Sequence, residues 1–138
     1  MEEEKWMENF GEEADKLNLI NQKIKATKLK NEKTGKEIGD YVEVNQRVKA
    51  FRILYPKGTI ETYIEKLENG ICVIQAKIYD DEYNLLSTGY AYEKENSTFI
   101  NKTSYIENCE TSAVGRALGF MGLGIDSSIA SKEEVINA

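Results

Sequence analysis

The sequence predicts an α+β fold, an antiparallel β-meander covered by helices in the order β-α-β-β-β-α. It has a β-β-β-α core and an N-terminal accessory helix. Three observations support this prediction. Asn69-Gly70 is a two-residue hairpin signal. Polar and apolar residues alternate on both sides of it. Helical periodicity precedes and follows the strands, and such helices are the available cover for the buried face of a one-layer sheet.

The meander consists of three predicted strands, over 59–67, 71–79 and 85–95. The second strand shows the clearest alternation, because every other residue is apolar. We expect this apolar set to face the helices. Its members are Cys72, Ile74, Ala76 and Ile78.

Two helices are predicted around these strands. A short strand over 41–44 precedes the first helix. Asn45 is a plausible N-cap of this helix, and Pro56 ends its helical pattern. The second helix begins at Thr103 or Ser104 and ends in glycines.

Apolar residues at helical spacing also predict an N-terminal helix, and the Lys-rich stretch 27–39 reads as a linker. The helical stripe is formed by Trp6, Phe10, Leu17, Ile20 and Ile24. We therefore expect three segments: the N-terminal helix and linker (1–39), the α+β core domain (40–126) and a C-terminal tail (127–138).

The net charge of -6 is unevenly distributed. Residues 1–15 hold seven acids and one lysine, whereas residues 16–36 hold seven lysines and one acid. Two interpretations of the basic stretch stay open. It is either a solvated arm, or an arm that binds the phosphates of a polyanion and is then released from the acidic segment 1–15.

The composition argues against an enzyme. No histidine is present, which excludes Ser-His-Asp and Cys-His triads. Cys72 and Cys109 are too few for a cysteine-rich zinc site and are expected to be reduced core thiols. We expect no catalytic residue, no cofactor and no metal. No apolar run is long enough for a membrane span, so we expect a protein of the bacterial cytoplasm with no membrane partner.

Candidate binding residues come from cations and aromatic rings near the third strand and on both helices. Cations can neutralise phosphates, and aromatic faces can stack on unpaired bases. The competing interpretation is a solvated helix face and an ordinary tyrosine-rich sheet. The predicted phosphate contacts are Arg116, Lys102, Lys94, Arg47, Lys49 and Arg52, and the predicted stacking residues are Tyr92, Phe99 and Tyr105.

The last helix is the most distinctive segment. Gly115 and Gly119 lie one helical turn apart, with Arg116 between them. These small residues indicate either tight helix-on-sheet packing or the floor of a groove. The run 104–119 resembles the Glu-Thr-Ser-Ala-Val-Gly-Arg-Ala-Leu helices of single-strand annealing proteins of the Rad-fifty-two-like superfamily. The resemblance implies subunit rings with single-stranded DNA in a positive outer groove. It also implies that Arg116 matches the family's Lys or Arg next to Ala-Leu, and that Lys102 lies where the family approaches DNA, between the third strand and this helix.

We therefore expect a single-stranded DNA-binding protein of phage or prophage origin that assists recombination by strand annealing. Its expected partners are single-stranded DNA, further copies of itself in a homo-oligomer or ring, and a host or phage recombination protein. Exposed edge strands independently favour the oligomer. The alternative is a phage-encoded protein-interaction module that binds or inhibits a host protein.

Overall fold

The computed structural model describes residues 11–30 and 33–125. Three helices and five strands lie within these ranges. Trp6 and Phe10 of the predicted stripe, and the predicted tail 127–138, lie outside the described residues. The elements are α1 (Glu12–Lys23), β1 (Thr27–Lys30), β2 (Glu37–Tyr41), α2 (Val44–Leu54), β3 (Thr59–Glu68), β4 (Ile71–Tyr79), β5 (Leu85–Lys94) and α3 (Asn101–Phe120).

The predicted meander is confirmed as an antiparallel sheet in the order β3-β4-β5. Asn69 and Gly70 have φ angles of 53° and 72°, the left-handed conformation that a two-residue hairpin turn requires. Strand β4 is central and alternates between buried and half-buried residues along its whole length. The four predicted apolar residues of this strand are the buried ones.

The core lies between the inner face of the sheet and α3. α3 packs mainly on β4 and β5, and α2 packs on α3. Ala113, Ala117 and Leu118 are fully buried on α3, and Phe51 is fully buried on α2. The architecture is thus the predicted α+β sandwich, with α1 packed beside α2.

Small residues bring the layers unusually close. A Cβ atom on Gly89 of β5 would lie 2.6 Å from the backbone nitrogen of Ala117, so the strand and α3 touch through their backbones. A Cβ atom on Gly115 would lie 2.7 Å from a methyl carbon of Val44 on α2. The small residues of α3 therefore serve tight internal packing, and the alternative of a groove floor at Gly115 is wrong.

The predicted linker is instead a β-hairpin. β1 and β2 pair antiparallel, with Thr27 opposite Tyr41, so the predicted strand over 41–44 is displaced to the earlier residues of β2. The prediction failed because an apolar pattern reveals strands that bury one face, whereas this pairing joins two polar segments through backbone hydrogen bonds.

The helix starts also differ in detail. α2 begins at Val44 with Glu43 at its N-cap, so Asn45 lies inside the helix. α3 begins at Asn101, and its backbone is non-helical at Ser104 (φ -139°, ψ 37°). Regular helix resumes after Ser104, where the sequence predicts the start. None of the helices in the described part of the chain is long and apolar enough to cross a membrane.

Candidate nucleic-acid interface

The fold gathers four of the nine predicted site residues where β5 passes into α3. We call this group, Tyr92, Lys94, Phe99 and Lys102, the loop surface. Tyr92 and Phe99 are 58% and 90% exposed, and both lysines are exposed. Lys94 ends β5, and its carbonyl accepts a hydrogen bond from the backbone of Ser97 in the following turn. Exposed cations and aromatic rings thus follow one another along the chain at one end of the sheet.

A buried amide fixes the loop that carries Phe99. Asn101 is fully buried, and its Nδ2 donates to Glu93 (2.6 Å) and to the Ser97 hydroxyl (2.9 Å). Its Oδ1 accepts from Asn108 (2.9 Å), and its backbone nitrogen donates to Thr98 Oγ1 (3.0 Å). Because both ends of the loop are tied to one satisfied side chain, the Phe99 ring is presented from an ordered backbone.

Arg47 does not belong to any exposed surface. It is 1% exposed, and its guanidinium donates to the carbonyls of Gly115 and Gly124, at 3.2 Å each. Burial lowers the pKa of the Arg47 guanidinium. The predicted phosphate contact of Arg47 is incompatible with this position, because the side chain instead joins α2 to the backbone of α3 and of the segment that follows it.

Tyr105 is half-buried and packs against the hydrophobic core, so its ring is not an open stacking face. Arg116 is half-buried on α3, 14 positions beyond Lys102, which at 1.5 Å per residue separates them by about 21 Å. The predicted site is therefore not one continuous trough.

Lys49 and Arg52 lie on the exposed side of α2. Arg52 donates a hydrogen bond to the Gly58 carbonyl, and its guanidinium lies 5.4 Å from the centroid of the Phe51 ring. Gly58 adjoins the start of β3, and Lys94 ends β5 at the opposite end of the sheet. Arg52 and the loop surface thus mark opposite ends of the domain.

The outer face of the sheet carries further exposed tyrosines. Gln75 on β4 lies opposite Tyr63 of β3 and Tyr90 of β5, so the three side chains form a row across the sheet. Tyr63 and Tyr90 are 42% and 54% exposed. Sequence reasoning missed Tyr63, although its position in the alternation of β3 places it on this face.

One end of this face carries the carboxylate of Glu61, which accepts hydrogen bonds from two tyrosines. Tyr63 and Tyr83 both donate their hydroxyl hydrogens to Glu61. These bonds lower the pKa of Glu61 and raise the pKa of Tyr63 to about 12. Glu61 also lies opposite Lys77 in the strand register, so this end of the face holds charges of both signs.

The cysteines are buried free thiols, as predicted. The Cys109 thiol lies 3.4 Å from the carbonyl oxygen of Cys72, and burial raises the pKa of Cys109 to about 12. Within residues 11–30 and 33–125 no group of three or more His, Cys, Asp or Glu side chains could hold a metal ion.

The unit from α2 to α3 is an α-β-β-β-α domain with exposed aromatic rings and lysines on its surface. A family model described as Slr1353 N-terminal dsRNA-binding domain-like matches residues 48–121. This match covers more than half of the chain, which therefore belongs to that family. Comparison with curated proteins and with solved structures found no match.

The family match corrects the resemblance drawn from the sequence. The chain is not a Rad-fifty-two-like annealing protein, and the expectations of phage origin, recombination and a subunit ring lose their basis with it. The physical reason is visible in α3. The Ser-Ala-Val-Gly-Arg-Ala-Leu-Gly phrase places small residues against β5 and α2. Any helix packed this closely on a sheet needs similar residues, so the phrase does not identify a family.

Proposed function

We propose that this domain binds an unpaired nucleic-acid strand at the loop surface and catalyses no reaction on it. The observation that carries the proposal is Phe99, which is 90% exposed and lies between two exposed lysines, Lys94 and Lys102, in the sequence. Membership of a dsRNA-binding domain-like family supports nucleic-acid binding.

The aromatic rings supply the main attraction in this proposal. A base stacked on an aromatic side chain contributes about 1–3 kcal/mol, and every base offers a face for it. Phe99 and Tyr92 give two such rings, and the Asn101 hydrogen bonds already fix the loop between them. Little ordering entropy is therefore lost on binding.

The charge balance favours stacking over phosphate contacts. Residues 48–121 hold eight Lys and Arg against ten Asp and Glu. Duplex recognition depends on many phosphate contacts, whereas two lysines beside two rings suit a short unpaired segment. We expect this surface by itself to give binding of low salt dependence.

A second candidate is duplex RNA, which the description of the family favours. Double-stranded RNA is recognised by its shape, its phosphates and its 2′-hydroxyls, and its base faces are hidden within the stack. The two candidates therefore differ in the role of Phe99. Its ring is needed for an unpaired strand and contributes little to a duplex.

Fluorescence anisotropy with labelled single-stranded DNA, single-stranded RNA and duplex RNA tests the proposal. Phe99→Ala should weaken single-strand binding between about 5-fold and 150-fold, the equivalent of 1–3 kcal/mol. Phe120→Ala is the matched control, because Phe120 is 55% exposed at the far end of α3. Because the proposal includes no catalysis, the oligonucleotide should run as intact on a gel after incubation with the protein. Absence of binding at low salt, or equal effects of the two substitutions, refutes the proposal.

A further inference from the structure

We infer that the N-terminal hairpin and the cleft between α1 and α2 form a second contact for the same strand, one that holds its phosphates. This inference rests on the proposed function and adds the electrostatic part that the loop surface lacks. We call the group the lysine surface. Its members are Lys23, Lys25, Lys28, Lys30, Lys36 and Lys49, all of them exposed.

The hairpin holds its lysines on ordered backbone. Lys28 and Lys30 alternate on β1, so both side chains point to the same face of the ribbon, about 6.7 Å apart. β1 is fixed by its pairing with β2, and Lys36 directly precedes β2. In the register of the hairpin Lys28 lies opposite Asp40 and Lys30 opposite Glu37, so the ribbon presents its lysines beside acidic residues. Lysines on an ordered backbone lose less entropy on binding a polyanion than those of a solvated arm would.

The cleft extends this ribbon onto the domain. It has a volume of about 300 Å³ and an apolar floor that includes Ile20, Ile24 and Ile53. Lys23, Lys25 and Lys49 line it, and among the residues that the structure describes no acidic one does.

The backbone nitrogen of Lys25 lies 3.4 Å from the amide oxygen of Gln46 on α2, which ties the start of the ribbon to the domain. A sugar or base can rest on the apolar floor while the lysines contact the neighbouring phosphates. Charge complementarity therefore selects the sugar-phosphate backbone of a strand as the occupant.

The distribution of charge makes this contact necessary for tight binding. The segment matched by the family model has more acids than bases, whereas residues 16–36 hold seven lysines and one acid. The Lys28–Glu37 ion pair (3.9 Å) joins two side chains that are 67% and 58% exposed. Because such surface pairs contribute little, a phosphate can replace Glu37 at small cost.

The test measures the salt dependence of oligonucleotide binding by the full chain. The triple substitution K28Q/K30Q/K36Q removes three ribbon lysines. For a single strand each phosphate contact contributes about 0.7 to the slope of log K against log salt, so we expect the slope to fall by about two. At 50 mM salt the affinity should fall on the order of a hundredfold. K57Q/K66Q/K77Q removes the same charge elsewhere and should change both quantities much less.

A substitution in the cleft gives an independent readout. Ile53→Glu should weaken binding at least tenfold, because its carboxylate would face phosphates. Ile64→Glu is the matched control, since both isoleucines are 58% exposed. Circular dichroism should show that all four variants fold.

The two proposals fail in different ways. An unchanged salt slope in K28Q/K30Q/K36Q, with binding still sensitive to Phe99→Ala, overturns the lysine surface and leaves the loop surface standing. Equal effects of Ile53→Glu and Ile64→Glu also overturn it. Absence of binding by the wild-type chain refutes both.

Discussion

Replacing Gly89 with alanine tests how closely the sheet and α3 approach each other. The added Cβ atom would lie 2.6 Å from the nitrogen of Ala117 and 3.0 Å from the carbonyl oxygen of Ala113. Ordinary contacts between non-bonded carbon atoms lie at about 3.5–4.0 Å, so α3 must move outward by about 0.9 Å. Both alanines are fully buried, and the Ser87 hydroxyl donates to the Ala117 carbonyl at 2.7 Å, so the helix is not free to shift.

The expected loss of stability follows from two opposing terms. Overpacking of a close-packed core costs about 1–3 kcal/mol, and rigid backbone neighbours place Gly89→Ala at the upper end of that range. Replacing glycine within a strand recovers about 0.5–1 kcal/mol. The net loss is about 2 kcal/mol, which for a domain of this size lowers the melting temperature by roughly 8 °C.

Urea unfolding followed by circular dichroism measures this loss, with Gly115→Ala as the comparison. The nearest atom to a Cβ on Gly115 is a methyl carbon of Val44 at 2.7 Å, which can move because it belongs to a side chain. Alanine also gains about 1 kcal/mol over glycine inside a helix, so Gly115→Ala should be nearly neutral. Wild-type stability of Gly89→Ala, or a larger loss for Gly115→Ala, would contradict the backbone contact.

Three further predictions concern buried and hydrogen-bonded groups. Arg47→Ala should lower the free energy of unfolding by about 3 kcal/mol in urea titrations, because two carbonyls lose a charged donor; a loss below about 1 kcal/mol would contradict the buried contact. Hydrogen bonding to Glu61 raises the pKa of Tyr63 from 10.0 to about 12. This interaction stabilises the folded state fully below pH 10, and the stabilisation is lost as the pH rises through about 12. Glu61→Gln should therefore increase absorbance at 295 nm at pH 11, and an unchanged absorbance would contradict it. Cys72 and Cys109 should react with a thiol reagent only after denaturation, since both are buried and the Cys109 pKa is raised; rapid labelling of the native chain would contradict their burial.

The homo-oligomer expected from exposed edge strands stays a prediction. Ile64 and Leu67 of β3 are 58% and 46% exposed. Multi-angle light scattering of the full chain gives its mass directly. A monomer at all concentrations would show that this edge is not used between copies.

Much of the fold follows from local patterns. The Asn69-Gly70 turn and the alternation of β4 predict the meander because both depend on neighbouring residues alone. The Lys-rich stretch is predicted as a linker but forms a β-hairpin, because the backbone hydrogen bonds between two polar strands leave no apolar pattern in the sequence.

The candidate site is only partly predictable from the sequence. An aromatic residue and a cation in a polar loop predict Phe99 and Lys102, whereas the grouping of Lys49 with Lys23 requires the packing of α1 beside α2.

The sequence alone determined the sheet, its hairpins and the buried thiols, because hydrophobic periodicity and turn chemistry act between residues a few positions apart. Only the tertiary structure decided which cations reach solvent. Arg47 and Lys49 are two positions apart on one helix, yet one is buried against carbonyls and the other lines an open cleft. The difference arises because the carbonyls of Gly115 and Gly124 need a donor where α3 and the following segment meet α2, a requirement set by residues about 70 positions away.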